Sequence, residues 1–388
     1  MKLLKIKQYQ YFSKKSLKPK IISFINTNPD SKIISICHSL LKKSIKYSLK
    51  NLEENVFSYS PTQGHLILRQ SLVNWIKKND LLSLTSNEII ITNGAHQAIN
   101  LIAQTLTKSK DTILVENTSY LGIQKPFQDK NITIKSFPKH LNQLTSEEIK
   151  KLINLTKPKL IYLVPELPNL TGQYLSTNKR KLIANLAKKQ NFYILEDQTH
   201  RQLAYPPGTK SIPTIASLNP NTLTVNSLSK IISPGLRIGW LTTKQQKLIK
   251  KIVQQKESSD LSSPTLNQIM TAYILDHLTK SPKILNQISN YYQKKLDLLN
   301  IYLKKCLPPN FSWNKHHNGF ILWLTGPKSF NSQKLFQKAI KNQIAFIPGH
   351  VFFFQESPPF NTIRLSVSHT PINKIKIGVK KLAQVISS

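Results

Sequence analysis

Lys230 lies in the stretch NSLSKIISPGLRIGW, residues 226–240, with Ser227 and Ser229 just before it and Arg237 seven positions after it. A lysine packed at a strand end beside a guanidinium has its ammonium form disfavoured twice, by lost hydration and by like charge. The neutral amine that results can attack a carbonyl and form a Schiff base. In a chain with fifty lysines the ordinary lysine is a solvated surface group, so the neighbours carry the argument. Arg237 is one of five arginines, the others being Arg69, Arg180, Arg201 and Arg364. A planar fork kept against so strong a lysine bias marks places where a point charge does not substitute. A second anion-seeking feature is TNGAHQAINL, residues 92–101, in which Gly94, Ala95 and His96 open a helix. Free amides at a helix N-terminus suit a phosphate.

The same bias bounds the function. The chain has 388 residues, a formal net charge of +37, 39% hydrophobic residues and eleven glycines. That length holds two domains, or one large domain with a smaller lobe. The charge admits a nucleic-acid surface, but the lysines are spread along the chain among Ile, Asn and Leu rather than gathered in a stripe, which reads as compositional drift. No specific nucleic-acid partner is expected. No apolar run approaches the ~20 residues of a membrane span, and the lysine-rich first twenty residues lack the apolar core of a signal peptide. Cys37 and Cys306 supply neither a disulfide framework nor a metal spacing. No metal is expected, and the setting is expected to be reducing and cytoplasmic.

Short β-branched runs alternate with helical patterns through the middle of the chain. EIIIT (88–92), TILVE (112–116), LIYLVPE (160–166), FYILED (192–197), TLTVNS (222–227) and IGWLTT (238–243) read as buried strands. AHQAINLIAQTL and STNKRKLIANLAKKQ read as helices, the second with a Ser/Thr/Asn start. Such alternation predicts an α/β fold with a mostly parallel sheet covered on both faces, and ligands in such sheets bind beyond the carboxyl ends of the strands. A long helical pattern from about 254 to 303, interrupted near SSP and KSP, precedes a mixture of strands and helices, FILWL, IAFIPG and TIRLSV among them, which reads as a smaller α+β lobe.

With these residues in place, the chain resembles the pyridoxal-phosphate-dependent aminotransferases of fold type I, class I/II, from about residue 22 to 388. The resemblance implies a large α/β/α domain at 56–285, a C-terminal α+β domain at 286–388, and residues 1–55 as an N-terminal arm and part of the small domain. It implies that Lys230 carries the Schiff base to the cofactor, while Ser227, Ser229, Arg237 and the cup of Gly94, Ala95 and His96 hold its phosphate. In YILEDQTHRQLAY (193–205) it places Asp197 against the pyridine nitrogen. A buried carboxylate there keeps the nitrogen protonated, so that the ring draws in carbanion electrons. Thr199 and His200 stand where the family often has a tyrosine, and either can donate to the phenolic oxygen. In PELPNLTGQYLS (165–176), the resemblance implies that Asn169 bonds that oxygen and lies near the substrate carboxylate, with Leu170 replacing the family's proline. Tyr120, in VENTSYLGI (115–123), is the stacking ring. Tyr59, in FSYSPTQGHLILRQSL (57–72), reaches the phosphate of a neighbouring subunit and implies a homodimer with shared active sites; Arg69 supports its helix. The resemblance implies that Arg364, in NTIRLSVS (361–368), grips the substrate carboxylate, and Asn318 stands where the family commonly has a glycine pair.

The implied activity moves an amino group between an L-amino acid and a 2-oxo acid. Freed Lys230 shuttles the α-proton as general base and then acid. A decarboxylase or carbon–sulfur lyase on the same scaffold is the alternative. A MocR-like effector-sensing regulator is another, although the twenty or so residues before IISFINTNPDSK are too few for its DNA-reading domain.

Overall fold

The computed structural model describes residues 2–50, 56–166, 174–205, 212–314 and 318–387, with no side chains for residues 2–4. The chain opens with helix α1 (Lys2–Lys15), strand β1 (Ile22–Ser23) and helix α2 (Ser31–Lys50). Asp30 caps α2 by accepting from the amides of Lys32 and Ile33, both at 3.1 Å, as short carboxylates do at helix starts. Helix α3 (Leu66–Asp80) follows. The alternation then runs β2 (Ile89–Thr92), α4 (Ala95–Leu106), β3 (Thr112–Val115), α5 (Gln124–Gln128), β4 (Thr133–Ser136), α6 (Ser146–Thr156), β5 (Leu160–Leu163) and α7 (Thr177–Gln190). It continues with β6 (Tyr193–Asp197), α8 (Arg201–Ala204), β7 (Thr222–Ser227) and β8 (Gly239–Thr242). The expected long helical stretch is three helices, α9 (Gln246–Asp260), α10 (Thr265–Lys280) and α11 (Lys283–Cys306). It breaks before Pro264 and Pro282, which lack the N–H that an interior helical position needs. Last come β9 (Ser312–Trp313), β10 (Ile321–Thr325), α12 (Ser332–Lys341), β11 (Ile344–Ala345), β12 (Ile347–Pro348), β13 (Thr362–Ser366) and α13 (Ile372–Ser387).

The main sheet has the order β2-β8-β7-β6-β5-β3-β4. Its ladders are parallel except where β8 meets β2 and β7. This is the mostly parallel mixed sheet that the sequence predicts, and β4 extends it at one edge. Strand alternation decides what each face carries. On β5, Leu160 and Tyr162 join the cluster under α4 and α9, whereas Ile161 and Leu163 join the cluster under α6 and α7. The same period of two aligns Asp197 with Leu195 and Ser227 with Val225, both of the α4-side cluster. Two chemistry-bearing side chains are thus delivered to one face at adjacent strand ends.

A four-stranded antiparallel sheet, β12-β13-β10-β9, lies in the C-terminal part. Strand β1 pairs in parallel with β11, so the N-terminal segment is joined to that part. Residues 2–15, which carry no helical expectation from sequence, form α1. Tyr9 on this helix meets Phe352 edge-on at 6.0 Å.

Candidate active site

A cavity of about 550 Å³ opens at the carboxyl ends of the main sheet, between it and the C-terminal part. It brings together every residue that the sequence singles out for the site except Asn169 and Tyr59. Asn169 and its neighbour Leu170 lie outside the described residues. Tyr59 is described, 83% exposed, and does not line the cavity of its own chain.

Lys230 follows β7 and is half-buried. Burial, and after it the charge of Arg364, push its amine down to about 8, while Asp197 pulls the other way. The depressing cation is therefore Arg364 and not Arg237, as nearness in sequence suggests. Arg237 turns to the other end of the cavity, where its Nη2 donates to the Asn93 carbonyl at 2.8 Å. Two other lysines, Lys256 and Lys295, are wholly buried, but each is neutralised by a carboxylate: Asp260 at 2.6 Å and Asp30 at 2.7 Å. Among the described residues Lys230 makes no such ion pair. This separates it from the other buried lysines.

Asp197 ends β6 and is 5% exposed. Burial pushes its carboxyl up, and hydrogen bonds from Tyr162 and Thr199 oppose the shift. Tyr162 donates its hydroxyl to Oδ2 at 2.7 Å; Thr199 donates its amide at 3.0 Å and its hydroxyl at 2.7 Å to Oδ1. The carboxylate is thereby fixed in place on both oxygens. Thr199 spends its hydroxyl on Asp197 and so supports the carboxylate. His200 is buried against Phe320, with ring centroids 5.6 Å apart. Burial and the nearby Lys230 and Arg364 push its pKa down to about 3, leaving a neutral ring.

At the other end, Gly94 caps α4 with φ +89° and offers no capping side chain, so the first amides of the helix are open. Their partial positive charge is reinforced by Arg237 beside Gly94. Gly239 makes this approach possible: a Cβ there would come within 2.6 Å of the Gly94 carbonyl carbon. Ser227 and Ser229 also line the cavity, and His96 stands at its rim, where the partial burial of its ring and the charge of Arg237 lower its pKa although much of the residue faces solvent. Tyr120 is half-buried with its ring against Gly122, whose Cβ would lie 2.3 Å from that ring. Burial, with Asp197 and Tyr9 nearby, pushes its phenol up to about 12.

Arg364, on β13, is 1% exposed. Its Nη2 donates to the Ile25 carbonyl at 2.6 Å, and its guanidinium stacks 4.9 Å from the Phe352 ring centre. Its Nε has no hydrogen-bond partner among the described residues. Arg180 and Arg201 converge on Glu166 Oε1 at 2.6 and 2.5 Å, and Arg201 also binds Asp80 at 2.8 Å, all buried. Arg69 donates to the carbonyls of Gly64 and Ser86. Four of the five arginines thus use a multi-donor or stacked geometry that a lysine lacks; Arg237 makes one bond.

The residues present fit pyridoxal phosphate. An amine poised to lose its proton and a fixed buried carboxylate share a cavity with an uncapped helix start. One donor of the cavity lining, the buried Arg364 Nε, has no hydrogen-bond partner among the described residues, and such a donor is costly unless something accepts from it.

Comparison with known proteins points the same way. The family model for aminotransferase class I and II matches residues 21–382. The chain is 27% identical to aromatic-amino-acid aminotransferase 1 of Thermococcus litoralis, over 97% of this chain and 94% of the relative. It is 26% identical to 2-aminoadipate transaminase of Thermus thermophilus, over 87% and 83%. The structure of Pyrococcus horikoshii kynurenine aminotransferase superposes with a TM-score of 0.89 at 25% identity, covering 97% of this chain and 93% of that one.

Proposed function

The chain belongs to the aminotransferases of class I and II, and on that premise we propose how its residues divide the reaction. It is a pyridoxal-phosphate-dependent enzyme that moves an amino group between an amino acid and a 2-oxo acid. When bound, the cofactor supplies an aldehyde to take up the amino group and a ring that draws off the electrons of the breaking Cα–H bond. The side chains do the rest. Lys230 holds the cofactor and, once freed, takes the substrate α-proton at Nζ and returns it as general acid. Asp197 is the counter-ion of the ring nitrogen, with Tyr162 and Thr199 keeping it in place. The amides of Gly94, Ala95 and His96, with Ser227, Ser229 and Arg237, hold the phosphate. Tyr120 stacks on the ring and His200 borders it. Arg364 and Asn169 take the substrate carboxylate.

The observation that carries this reading is Lys230, an amine lowered to about 8 with no carboxylate ion pair among the described residues, in one cavity with buried Asp197 and the open start of α4. The N-terminal helix and Phe352 give the cavity an apolar wall of Ile6, Tyr9 and Phe352. Relatives named for aromatic amino acids, 2-aminoadipate and kynurenine act on long side chains. A donor with a long side chain is therefore proposed. So is a homodimer in which the exposed Tyr59 serves the neighbouring phosphate site, and a cytoplasmic setting. Among the described residues no helix is long and apolar enough to cross a membrane. The proposed domains are 56–285 and 286–388, with 1–55 joined to the second; the pairing of β1 with β11 supports that junction.

The test is an assay of 2-oxo-acid-dependent amino transfer over a panel of donors, in wild type and Lys230→Ala. Loss of transfer in the variant and preference for long side chains are expected. Undiminished transfer in the variant overturns the assignment, and release of carbon dioxide, ammonia or sulfide in place of transfer makes the enzyme a decarboxylase or lyase.

A further inference from the structure

The role assigned to Lys230 needs its amine presented in one direction each time it is free, and a flexible four-carbon stem does not ensure that. A partner comes from outside every sequence motif of the site. Lys230 Nζ donates to Thr27 Oγ1 at 2.9 Å and to the Thr27 carbonyl at 3.3 Å. Thr27 lies 203 positions away in the chain and itself lines the cavity.

Thr27 is held by a ladder of bonds from the C-terminal part to the segment 23–30. Thr370 Oγ1 donates to the Ser23 carbonyl at 2.6 Å, and Arg364 Nη2 to that of Ile25 at 2.6 Å. Ser366 Oγ donates to the Asn26 carbonyl at 2.7 Å and Ser368 Oγ to that of Asn28 at 2.8 Å. Lys295 and Tyr291 grip the Asp30 carboxylate at 2.7 and 2.9 Å. Between the rungs at Asn26 and Asn28, Thr27 turns both its oxygens to Lys230.

We propose that Thr27 is the positioning residue of the reactive amine: it holds Lys230 Nζ in the cavity whenever the amine is free, and it sets how readily that amine sheds its proton. The proposal rests on the role given to Lys230 above. A carbonyl can only accept. A hydroxyl can accept from the ammonium or donate to the amine, but the charge-assisted bond is the stronger. Thr27 therefore favours the ammonium and opposes burial and Arg364, with Asp197 on its side. His200 beside Lys230 stays neutral; Tyr9, Tyr120, His96, Lys125 and Arg237 also line the cavity. The amine is low enough to be freed and still tethered when free.

The consequence has an unusual sign. Thr27→Val removes one acceptor from the ammonium, so the amine midpoint falls by about one pH unit, the scale of one hydrogen bond to a charged group. More of the amine is then neutral, yet transamination falls about tenfold because Nζ is no longer aimed. A merely structural role for Thr27 would lower turnover without moving the midpoint.

Competitive acetylation of the full-length chain, without cofactor, from pH 6 to 11 reads the midpoint when the Lys230 peptide is followed by mass spectrometry. The expected results are a wild-type midpoint near 8, a fall in Thr27→Val and in the smaller Thr27→Ala, and recovery of both midpoint and turnover in Thr27→Ser. An unmoved midpoint in the Val and Ala variants overturns the proposal and leaves the reading of Lys230 standing. A wild-type midpoint at the ordinary lysine value of about 10.4 overturns that reading itself.

Discussion

Arg364→Gln probes the proposed substrate end of the site. Glutamine ends where arginine has its Nε, two bonds short of Nη2, so it removes the charge, the paired carboxylate fork and the rung to the Ile25 carbonyl, while the rungs from Thr370, Ser366 and Ser368 remain. A buried guanidinium meeting a carboxylate makes two charge-assisted bonds, each worth about 1.5–3 kcal/mol. Their loss, about 3–6 kcal/mol together, lowers kcat/KM by roughly 10²- to 10⁴-fold at 1.4 kcal/mol per decade. The carboxylate does not react, so its binding is nearly uniform between ground and transition states, and the loss falls chiefly on KM. Steady-state transamination with the amino acid varied measures this. A second signature follows from charge: without the neighbouring cation the Lys230 ammonium is less disfavoured, so the amine midpoint rises above about 8. A KM within threefold of wild type, with an unmoved Lys230 midpoint, would refute both parts of the reasoning.

Three further substitutions test other supports. Tyr162→Phe takes one donor from Asp197, so the carboxyl, already raised by burial, rises by about one unit more; because the carboxylate must be ionised and is lost as pH falls through its pKa, the acid limb of the activity profile moves to higher pH, and a profile superposable on wild type counts against it. Gly239→Ala drives a methyl into the start of α4; an overpacking cost of about 1–3 kcal/mol in stability and at least about tenfold weaker cofactor affinity are expected in urea unfolding and fluorescence titration, and an unchanged affinity contradicts the phosphate cup. Glu166→Gln leaves Arg180 and Arg201 buried without their shared carboxylate, so the urea midpoint drops by the equivalent of about 3–5 kcal/mol; a loss below about 1 kcal/mol contradicts the importance of that charge.

The strand ends are the part of the site that composition and spacing reveal. Asp197 and Ser227 close buried runs whose period of two fixes their face, and Gly94 marks a strand-to-helix junction that a side chain would obstruct. The scarcity of arginine singles out five residues: Arg69, Arg180 and Arg201 use several donors and Arg364 a stacked, buried fork, while Arg237 is exposed and donates once, to the Asn93 carbonyl. Partnerships across the chain are not legible. Thr27 sits in a segment read only as an entry arm, and its bond to Lys230 exists because β1 pairs with β11 and brings residue 27 under the cavity. Tyr162 reads as core from its apolar neighbours, and the hydroxyl bonded to Asp197 becomes visible only when β5 lies beside β6. Arg364 displaces Arg237 as the neighbour of Lys230 for the same reason: the fold closes a gap that the sequence leaves open. Strand β4 has only four residues, two of them exposed, and carries too weak an apolar signal to be read. Helix α1 has lysines around an uneven apolar pattern and gains its place by packing on Phe352.

Fifty lysines make the most direct measurement a discriminating one. Full-length protein incubated with pyridoxal phosphate is reduced with borohydride, digested, and searched for the pyridoxyl mark by mass spectrometry. Stoichiometric marking of Lys230, absent from Lys230→Ala, is expected. A mark spread over surface lysines, or concentrated on any lysine other than Lys230, would contradict the account.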